Sequence, residues 1–310
     1  MAGLTGTRKQ PVGIIGLGIM GGAYAQNLRA AGWPVFGHDT APARRRAMAR
    51  AGVVMVANAA EVAAKAPVVI TSLPKASALA ESAIAIAKAG VPARVIVETS
   101  TFALDDKSAA RGVLSPAGHV LLDCPVSGTG IQARVKDIVI YASGGSSQIR
   151  RLRPLFADFS RAVHDLGEFG NGSRMKYVAN LLVAVHNVAS AEALVLGTKA
   201  GLPRRLVYDM VKIGAANSRV FELRAPLMVR DRYDDPTMKV AIWQKDMKII
   251  GEFAQALGAP TPLFSATLPV YAAAMANGHG ADDTAVVCAV LEAMAGIKRG
   301  KRTRKDARSR

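Results

Sequence analysis

The sequence predicts an α/β protein in which a doubly wound, mainly parallel sheet is followed by an all-helical C-terminal domain. Through about residue 170, short apolar runs rich in β-branched residues alternate with Ala-rich amphipathic stretches, the rhythm of strand–helix–strand units. From residue 171 onward the chain consists of helix-forming stretches separated by Gly and Pro. We therefore predict an α/β domain over residues 1–171, a helical domain over 172–297 and a basic, disordered tail over 298–310.

The predicted strands of the first half are short and apolar. In chain order they are Val12 to Ile15, Val35 to His38, Val68 to Leu73, Val95 to Glu98, Val120 to Asp123 and Ile138 to Tyr141. Ligands of doubly wound sheets bind beyond the carboxyl ends of the strands. We therefore expect the functional residues of this half directly after these runs.

The second half opens with a long helix-forming stretch, Met175 to Ala200, that contains no Pro. Breaks between later helices are expected at Gly201 to Pro203, at Ala225-Pro226 and at Gly258 to Pro260. The boundary between the halves is expected near Gly170 to Gly172.

The most informative motif follows the first predicted strand. It consists of Gly16, Leu17, Gly18, Ile19, Met20 and Gly21. Between a strand and a helix, the first Gly makes a tight turn, the second lets the backbone approach a phosphate and the third lets the helix pack on the strand. Asp39 follows the second predicted strand, where a carboxylate would bind a ribose 2′-hydroxyl. The motif predicts a Rossmann domain that binds a dinucleotide.

Composition narrows the class of protein further. The chain has 310 residues, of which 50% are hydrophobic, and can bury the cores of two domains. The two cysteines, Cys124 and Cys288, lack metal-ligand spacing, so we expect buried reduced thiols and no metal site. No uninterrupted apolar run reaches the roughly 20 residues that span a bilayer, and the polar start has no signal-peptide pattern. We expect a cytoplasmic protein without a membrane partner.

The net charge of +17 is concentrated at the C-terminus. Residues 298–310 hold eight Lys or Arg and one acid, and therefore supply +7 of this charge. A block of like charge with almost no apolar residue cannot pack, so we expect a solvated tail. The alternative is a polyanion-binding arm. We expect no nucleic-acid partner despite the basic tail, because the sequence contains no recognisable nucleic-acid module.

Six motifs occur in the order typical of β-hydroxyacid dehydrogenases. They are the glycine motif, Leu73-Pro74, Ser100-Thr101, Asp123 to Gly128, the spacing of Lys176 and Asn180, and Lys245-Asp246. The chain resembles this family from about Val12 to Gly296. The resemblance implies a Rossmann domain, a helical domain for substrate binding and dimerisation, an NAD(P) cofactor and a small hydroxy-acid substrate. It also implies a homo-oligomer, either a dimer or a tetramer.

The resemblance implies that Lys176 is the catalytic lysine and Asn180 its partner one helical turn later. Hydride transfer from an alcohol carbon to nicotinamide needs a base for the hydroxyl proton, and the reverse reaction needs an acid. Burial and a neighbouring positive charge favour the neutral form of a lysine, which can accept that proton. Residues four apart face the same side of a helix, so the two side chains can address one substrate. The resemblance also implies cofactor contacts near the nicotinamide from Leu73, Pro74, Thr101 and Lys245.

The substrate end of the site departs from the family pattern. Ser127 and Gly128 match the loop that binds the substrate carboxylate, but Thr129 stands where the family usually has a second Gly and would narrow the loop. Arg219 occupies a position that is often apolar or aromatic; it either pairs with a second anionic group of the substrate or lies on the surface. Two further departures, Ala179 and Met238, bear on substrate identity and not on the catalytic lysine.

We therefore predict an oxidoreductase of a short 3-hydroxy acid, either 3-hydroxyisobutyrate-like or threonate-like. Asp39 favours NAD because its carboxylate would repel the 2′-phosphate of NADP, whereas Arg44, Arg45 and Arg46 leave NADP open. One alternative is an NADPH-dependent reductase of small aldehyde acids, and another is a non-catalytic dinucleotide sensor that binds polyanions. Lys176 counts against imine reductases, which typically lack it. Phosphogluconate dehydrogenases have a much longer helical domain than this chain.

Overall fold

The computed structural model describes residues 9–299. Contacts divide the chain into two compact units, the first ending at Ala179 and the second beginning at Asn180. The division falls inside one long helix, Asn171–Lys199. The domain limits at residues 171 and 297 stay predictions. Residues 300–310 of the predicted tail lie outside the described residues.

The first unit contains a six-stranded sheet. Its strands are β1 (Val12–Ile15), β2 (Val35–His38), β3 (Val54–Met55), β4 (Val68–Thr71), β5 (Val95–Glu98) and β6 (Val120–Asp123). They lie in the order β3-β2-β1-β4-β5-β6, which is the strand order of a doubly wound dinucleotide-binding sheet. All neighbouring strands are parallel. Their carboxyl ends therefore share one edge, as the predicted site requires.

Helices cover both faces of this sheet. They are α1 (Ile19–Ala30), α2 (Pro42–Arg50), α3 (Ala59–Lys65), α4 (Ala76–Ala87) and α5 (Leu104–Leu114). Consecutive residues of a strand point to opposite faces, so Ile14 packs in one core cluster with Tyr24 of α1 and Ile15 in another with Val62 of α3. β1, β4, β5 and β6 are buried on both faces over most of their length, which explains their almost continuous apolar sequence.

A small second sheet follows in the same unit. It is formed by β7 (Val126–Ser127), β8 (Val139–Ala142) and β9 (Ala162–Asp165), with α6 (Gly130–Arg134) and α7 (Ser146–Ala157) between them. β7 pairs antiparallel with β8, and β8 pairs parallel with β9. The antiparallel pair is short, so the expectation of a mainly parallel first half is confirmed.

The second unit is helical. The long helix α8 (Asn171–Lys199) runs into it, and five helices follow: α9 (Arg204–Ile213), α10 (Arg219–Arg230), α11 (Val240–Ala256), α12 (Pro262–Ala276) and α13 (Val287–Met294). Up to residue 299, the extended pairing in this unit is a single bridge between Lys239 and Asp283. The predicted breaks at residues 201–203 and 258–260 are confirmed.

The predicted break at Ala225-Pro226 is wrong, because α10 continues through Pro226. A proline inside a helix removes one backbone hydrogen bond and costs about 3 kcal/mol. The buried side chains of the same helix offset this cost. Met228 packs in the core, and Arg224 donates to both carboxylate oxygens of the buried Asp283 at 2.6 and 2.7 Å.

Helix α8 has the length and apolar composition to cross a membrane, with 29 residues. Polar residues such as Asn180 and Asn187 interrupt this helix, so its sequence contains no uninterrupted apolar run of that length. Core helices of soluble proteins can have the same length and composition. Within the second unit, Asn187 of α8 is buried and donates to Tyr271 Oη and to the Thr284 carbonyl, both at 2.9 Å. These hydrogen bonds are typical of a helix that packs against protein.

Candidate active site

The glycine turn between β1 and α1 has strict steric requirements. Gly16 has φ of 87°, and a Cβ there would lie 2.1 Å from the Ser72 carbonyl oxygen. A Cβ on Gly21 would lie 2.0 Å from the Gly16 carbonyl oxygen. At Gly18 the nearest atom to a Cβ is Arg44 Nη1 at 3.7 Å, and no described side chain caps the helix there. The α1 N-terminus therefore leaves room and N–H groups for a pyrophosphate.

Asp39 faces this turn and is 5% exposed. Its Oδ2 accepts the Leu17 N–H at 2.8 Å, and its Oδ1 accepts the Ala41 N–H at 2.7 Å. Arg44 Nη1 lies 3.5 Å from Oδ2. Arg45 instead donates to the Val56 carbonyl at 2.8 Å, so Arg44 is the arginine of the cluster that pairs with the acid. A dinucleotide ribose would meet Asp39 and Arg44 together.

The ends of β4 and β5 form a hydrogen-bonded edge beside the glycine turn. The Leu73 N–H donates to Ser100 Oγ at 2.8 Å, and the Ser100 N–H donates to Glu98 Oε1 at 3.0 Å. Pro74 is exposed and Thr101 is half-buried at this edge. The structure thus places the predicted nicotinamide contacts of the first unit on adjacent strand ends.

The predicted carboxylate loop follows β7. Gly128 has φ of 138°, and a Cβ there would lie 2.6 Å from Ile138 Cγ2. A Cβ on Gly130 would lie 2.1 Å from the Ile19 side chain, so this loop lies against the start of α1. Thr129 donates to Gln132 Oε1 through its N–H at 3.0 Å and through its Oγ1 at 3.2 Å. The sequence did not reveal this second role of Thr129, which fixes the start of α6.

Lys176 and Asn180 lie one turn apart on α8. Lys176 is half-buried, and the neighbouring Tyr177 is buried and donates to the Phe102 carbonyl at 2.5 Å. In the second unit, Asn180 Nδ2 donates to Asp246 Oδ2 at 2.9 Å, and Lys245 Nζ lies 3.1 Å from Asp246 Oδ1. Asp246 therefore holds Asn180 and Lys245 together, although the sequence assigned it no role.

Arg219 begins α10, and 66% of its side chain is exposed. It forms an ion pair with Glu222 on the same helix at 2.9 Å. Hydrogen bonds from Asn217 and Arg219 lower the pKa of Glu222. The structure thus gives Arg219 a carboxylate partner on the surface, and its predicted contact with substrate stays a prediction.

A buried ionic cluster lies under these strand ends and was missed from the sequence. Lys107 Nζ is 2.8 Å from Glu98 Oε2 and 2.8 Å from Asp123 Oδ1. A signal was present, because Lys107 shares the apolar face of α5 with Ala110 and Leu114, where a charged residue needs a buried partner.

Residues 9–299 include both cysteines of the chain. Cys124 and Cys288 are buried free thiols, and burial raises the pKa of Cys288 to about 12. Across the described residues, no group of three His, Cys, Asp or Glu side chains could hold a metal ion.

Two family models match most of the chain. One, described as the NAD binding domain of 6-phosphogluconate dehydrogenase, matches residues 11–167. The other, described as NAD-binding of NADP-dependent 3-hydroxyisobutyrate dehydrogenase, matches residues 170–291.

Individual relatives agree with these models. The L-threonate dehydrogenase of Cupriavidus necator is 32% identical, over 90% of this chain and 95% of its own length. The 3-hydroxyisobutyrate dehydrogenase of Salmonella typhimurium has a solved structure that is 29% identical, with a TM-score of 0.81 over 91% of this chain and 100% of its own. A Mycobacterium tuberculosis 3-hydroxyisobutyrate dehydrogenase structure with L-serine is 29% identical, with a TM-score of 0.83 over 91% of this chain and 99% of its own.

The fold, the glycine turn with its acid, and these likenesses over nearly full length lead to one assignment. The chain belongs to the β-hydroxyacid dehydrogenase family and is an NAD(P)-dependent hydroxyacid dehydrogenase.

Proposed function

We propose that this enzyme oxidises a short 3-hydroxy acid with NAD and that Lys176 is its general acid/base. The observation that carries the proposal is the placement of Lys176 and Asn180 one turn apart on α8, whose first turn is hydrogen-bonded to the end of β6 through Ser173 and Asp123. The end of β6 lies at the same sheet edge as the glycine turn and the Leu73 and Thr101 segments.

Different residues bind the cofactor, transfer the proton and orient the substrate. The glycine turn and the N–H groups at the α1 N-terminus bind the pyrophosphate, and Asp39 binds the adenosine ribose. When bound, the cofactor would supply the nicotinamide ring as the acceptor of the hydride from the alcohol carbon. Lys176 takes the hydroxyl proton in oxidation and returns it to the carbonyl oxygen in reduction. Asn180 and Ser127 orient the substrate so that its alcohol carbon faces the nicotinamide and its hydroxyl faces the Lys176 amine.

The substrate class is proposed from two sources. Relatives at similar identity are named L-threonate dehydrogenase and 3-hydroxyisobutyrate dehydrogenase, and both names describe short hydroxy acids. Thr129 in the loop after Ser127 and Gly128 supports a small substrate, because its side chain occupies space that a glycine would leave. Arg219 would favour a substrate with a second anionic group only if it left Glu222.

NAD is the proposed cofactor because the Asp39 carboxylate is fixed by two backbone N–H groups and would repel a 2′-phosphate. Arg44 supports NADP instead, because its Nη1 lies 3.5 Å from Asp39 Oδ2 and could turn to bind the 2′-phosphate. An NADPH-dependent reductase of small aldehyde acids is the second candidate, and this position of Arg44 favours it.

We also propose a cytoplasmic homodimer or homotetramer without a membrane or nucleic-acid partner. Apolar side chains exposed on α8 and α9 support an oligomer, because such surface in a single chain favours association. They include Val178, Leu182, Leu196, Leu206 and Met210. Two buried free thiols agree with a reducing compartment.

A substrate screen tests the proposed reaction. Purified protein is assayed with 3-hydroxyisobutyrate, L-threonate and related hydroxy acids, with NAD⁺ and NADP⁺ in parallel, by absorbance of the reduced cofactor. The reverse assay uses small aldehyde acids with NADH and NADPH. We expect turnover of a short 3-hydroxy acid with NAD⁺ preferred. Turnover confined to aldehyde acids with NADPH would support the second candidate, and no turnover with any combination would contradict both.

A further inference from the structure

The buried ionic cluster of Lys107, Glu98 and Asp123 has no role in the chemistry proposed above. All three side chains are 0% exposed. Burial alone lowers the pKa of Lys107, but the two carboxylates raise it above its ordinary value, so the lysine is charged. Two carboxylates and one ammonium leave one negative charge in excess, which burial makes costly unless N–H donors balance it.

Besides Lys107 and the Ser143 hydroxyl, the Asp123 carboxylate has two donors in the first turn of α8. Ser173 donates its N–H to Asp123 Oδ2 at 2.7 Å and its Oγ–H to Asp123 Oδ1 at 2.8 Å. The Gly172 N–H donates to Ser143 Oγ at 3.0 Å. The first N–H groups of a helix lack partners within it, so these bonds complete the start of α8. A carboxylate at this position also interacts favourably with the helix dipole.

Close packing fixes the same turn sterically. A Cβ on Gly172 would lie 2.3 Å from the Tyr141 carbonyl oxygen and 2.7 Å from that of Asp123. Lys176 follows Ser173 by three residues, and the next residue, Tyr177, is itself anchored to the Phe102 carbonyl. The backbone position of Lys176, and with it the direction of its Cα–Cβ bond, is therefore set by a helical turn that is anchored at Ser173 and at Tyr177.

The other carboxylate of the cluster reaches the cofactor edge. Glu98 Oε1 accepts the Ser100 N–H, and Ser100 Oγ accepts the Leu73 N–H. Lys107 thus connects two parts of the site. Through Glu98 it is linked to the ends of β4 and β5, which carry predicted cofactor contacts, and through Asp123 it is linked to the start of α8. The whole network lies within the first unit.

We propose that Asp123 and Ser173 are positioning residues for Lys176, with Lys107 as the buried cation that holds Asp123 in place. This inference rests on the proposed role of Lys176. A lysine that must take a proton from a substrate held for hydride transfer tolerates little displacement, because a misplacement of about 1 Å can cost on the order of 100-fold in rate.

The test uses two side-chain truncations that keep all three charged groups of the ionic cluster. Ser173→Ala removes the hydroxyl but keeps the N–H bond to Asp123. Ser143→Ala removes the acceptor of the Gly172 N–H and a hydroxyl that donates to the Asp123 carbonyl at 3.2 Å and to its Oδ2 at 3.4 Å. Ser160→Ala is the matched control, because Ser160 is also buried and its Oγ donates to the Phe156 carbonyl at 2.8 Å, away from α8. Each variant is characterised by melting temperature, kcat and the KM of NAD⁺, with 3-hydroxyisobutyrate or L-threonate as substrate, whichever the wild type oxidises.

We expect Ser173→Ala and Ser143→Ala each to lower kcat on the order of 10-fold with the KM of NAD⁺ unchanged. Ser160→Ala should keep the wild-type kcat even if its melting temperature falls as much as that of the other two variants. A double variant separates positioning from general loss of structure. Adding Ser173→Ala to Lys176→Ala should give no further loss of kcat, because residues that act as a unit are not additive.

Two results would overturn the inference. One is a wild-type kcat in folded Ser173→Ala and Ser143→Ala. The other is a further loss in the double variant equal to that of Ser173→Ala alone, which would mean that Ser173 acts independently of Lys176. If Lys176→Ala itself kept its kcat, the proposed function would fail instead, so the two failures are distinguishable.

Discussion

The backbone N–H of Leu17 donates to Asp39 Oδ2 at 2.8 Å, which joins the glycine turn after β1 to the acid after β2. The turn and the acid are far apart in sequence but lie on adjacent strands of the sheet. The carboxylate is therefore aimed at the turn by the backbone that binds the pyrophosphate. This bond fixes where a cofactor ribose would meet the protein.

Replacing Asp39 tests the choice of cofactor. Asp39→Asn keeps the size of the side chain but removes the charge, so it should weaken the bond to the ribose and relieve repulsion of a 2′-phosphate. Hydrogen bonds to charged groups contribute about 1.5 to 3 kcal/mol, so kcat/KM for NAD⁺ should fall roughly 10-fold to 150-fold. The ratio of kcat/KM for NAD⁺ and NADP⁺ is measured in both proteins. A wild type that prefers NADP⁺ would contradict the assignment, and loss of that preference in Arg44→Ala would identify the cause.

Arg299, the last described residue, forms ion pairs with the helical unit. It was predicted as part of a solvated tail, yet it is 15% exposed and lies 2.6 Å from Glu292 and 3.1 Å from Asp231. Removing it leaves Glu292 with Arg204 alone, so Arg299→Ala should lower the free energy of unfolding by about 1 to 3 kcal/mol. Deletion of residues 300–310 is the matched comparison, and we expect it to leave stability and kcat unchanged. Equal losses in both proteins, measured by urea unfolding, would be inconsistent with this account.

Arg219 can be tested against its surface alternative. If it binds a second anionic group, Arg219→Met should lower kcat/KM roughly 10-fold to 150-fold for a substrate that carries such a group. The loss should be much smaller for a plain short hydroxy acid. Glu222→Gln is the control, because it releases Arg219 without removing it. Unchanged kcat/KM for every substrate would leave Arg219 as a surface residue paired with Glu222.

Tyr177 should make stability depend on pH in the alkaline range. Burial raises its pKa to about 12, above the value of about 10 for an unfolded tyrosine. A raised pKa gives stability that is complete below pH 10 and is lost as the pH rises towards 12. Tyr177→Phe removes this ionisation, so its free energy of unfolding should fall less steeply, by up to about 1.4 kcal/mol per pH unit. Urea unfolding at pH 9, 10 and 11 measures the slopes, and parallel slopes would be evidence against the effect.

The local sequence pattern was sufficient to predict the main strands and to predict that an α/β half is followed by a helical half. The bounds of β1, β2, β5 and β6 match the predicted runs, because these strands are largely buried and are bounded by Gly, Pro or polar residues. The short strands β3, β7 and β9 were missed because two of them have only two residues each and the last is partly exposed.

Long-range relationships were not readable from local pattern. Pro226 sits inside α10 because Arg224 and Met228 of the same helix are buried and offset its cost. Their burial depends on partners far along the chain, such as Asp283, which no local window of the sequence contains. The pairing of Lys107 with Glu98 and Asp123 likewise depends on the order of strands in the sheet. The glycine motif and Asp39 were identified from the sequence pattern, whereas Lys176, Asn180 and the nicotinamide contacts came from the family resemblance. The roles of all these residues stay predictions.

The most direct test of the account is the turnover of Lys176 variants. Lys176→Ala should lower kcat by about 100-fold to 10,000-fold, the usual contribution of a positioned acid/base. Lys176→Arg should be equally impaired, because a guanidinium keeps the charge but does not release its proton. Calorimetric titration should give a wild-type Kd for the dinucleotide in both variants, and melting temperatures should show that both are folded. A kcat within a few-fold of wild type in Lys176→Ala would contradict the central claim that this lysine carries the proton.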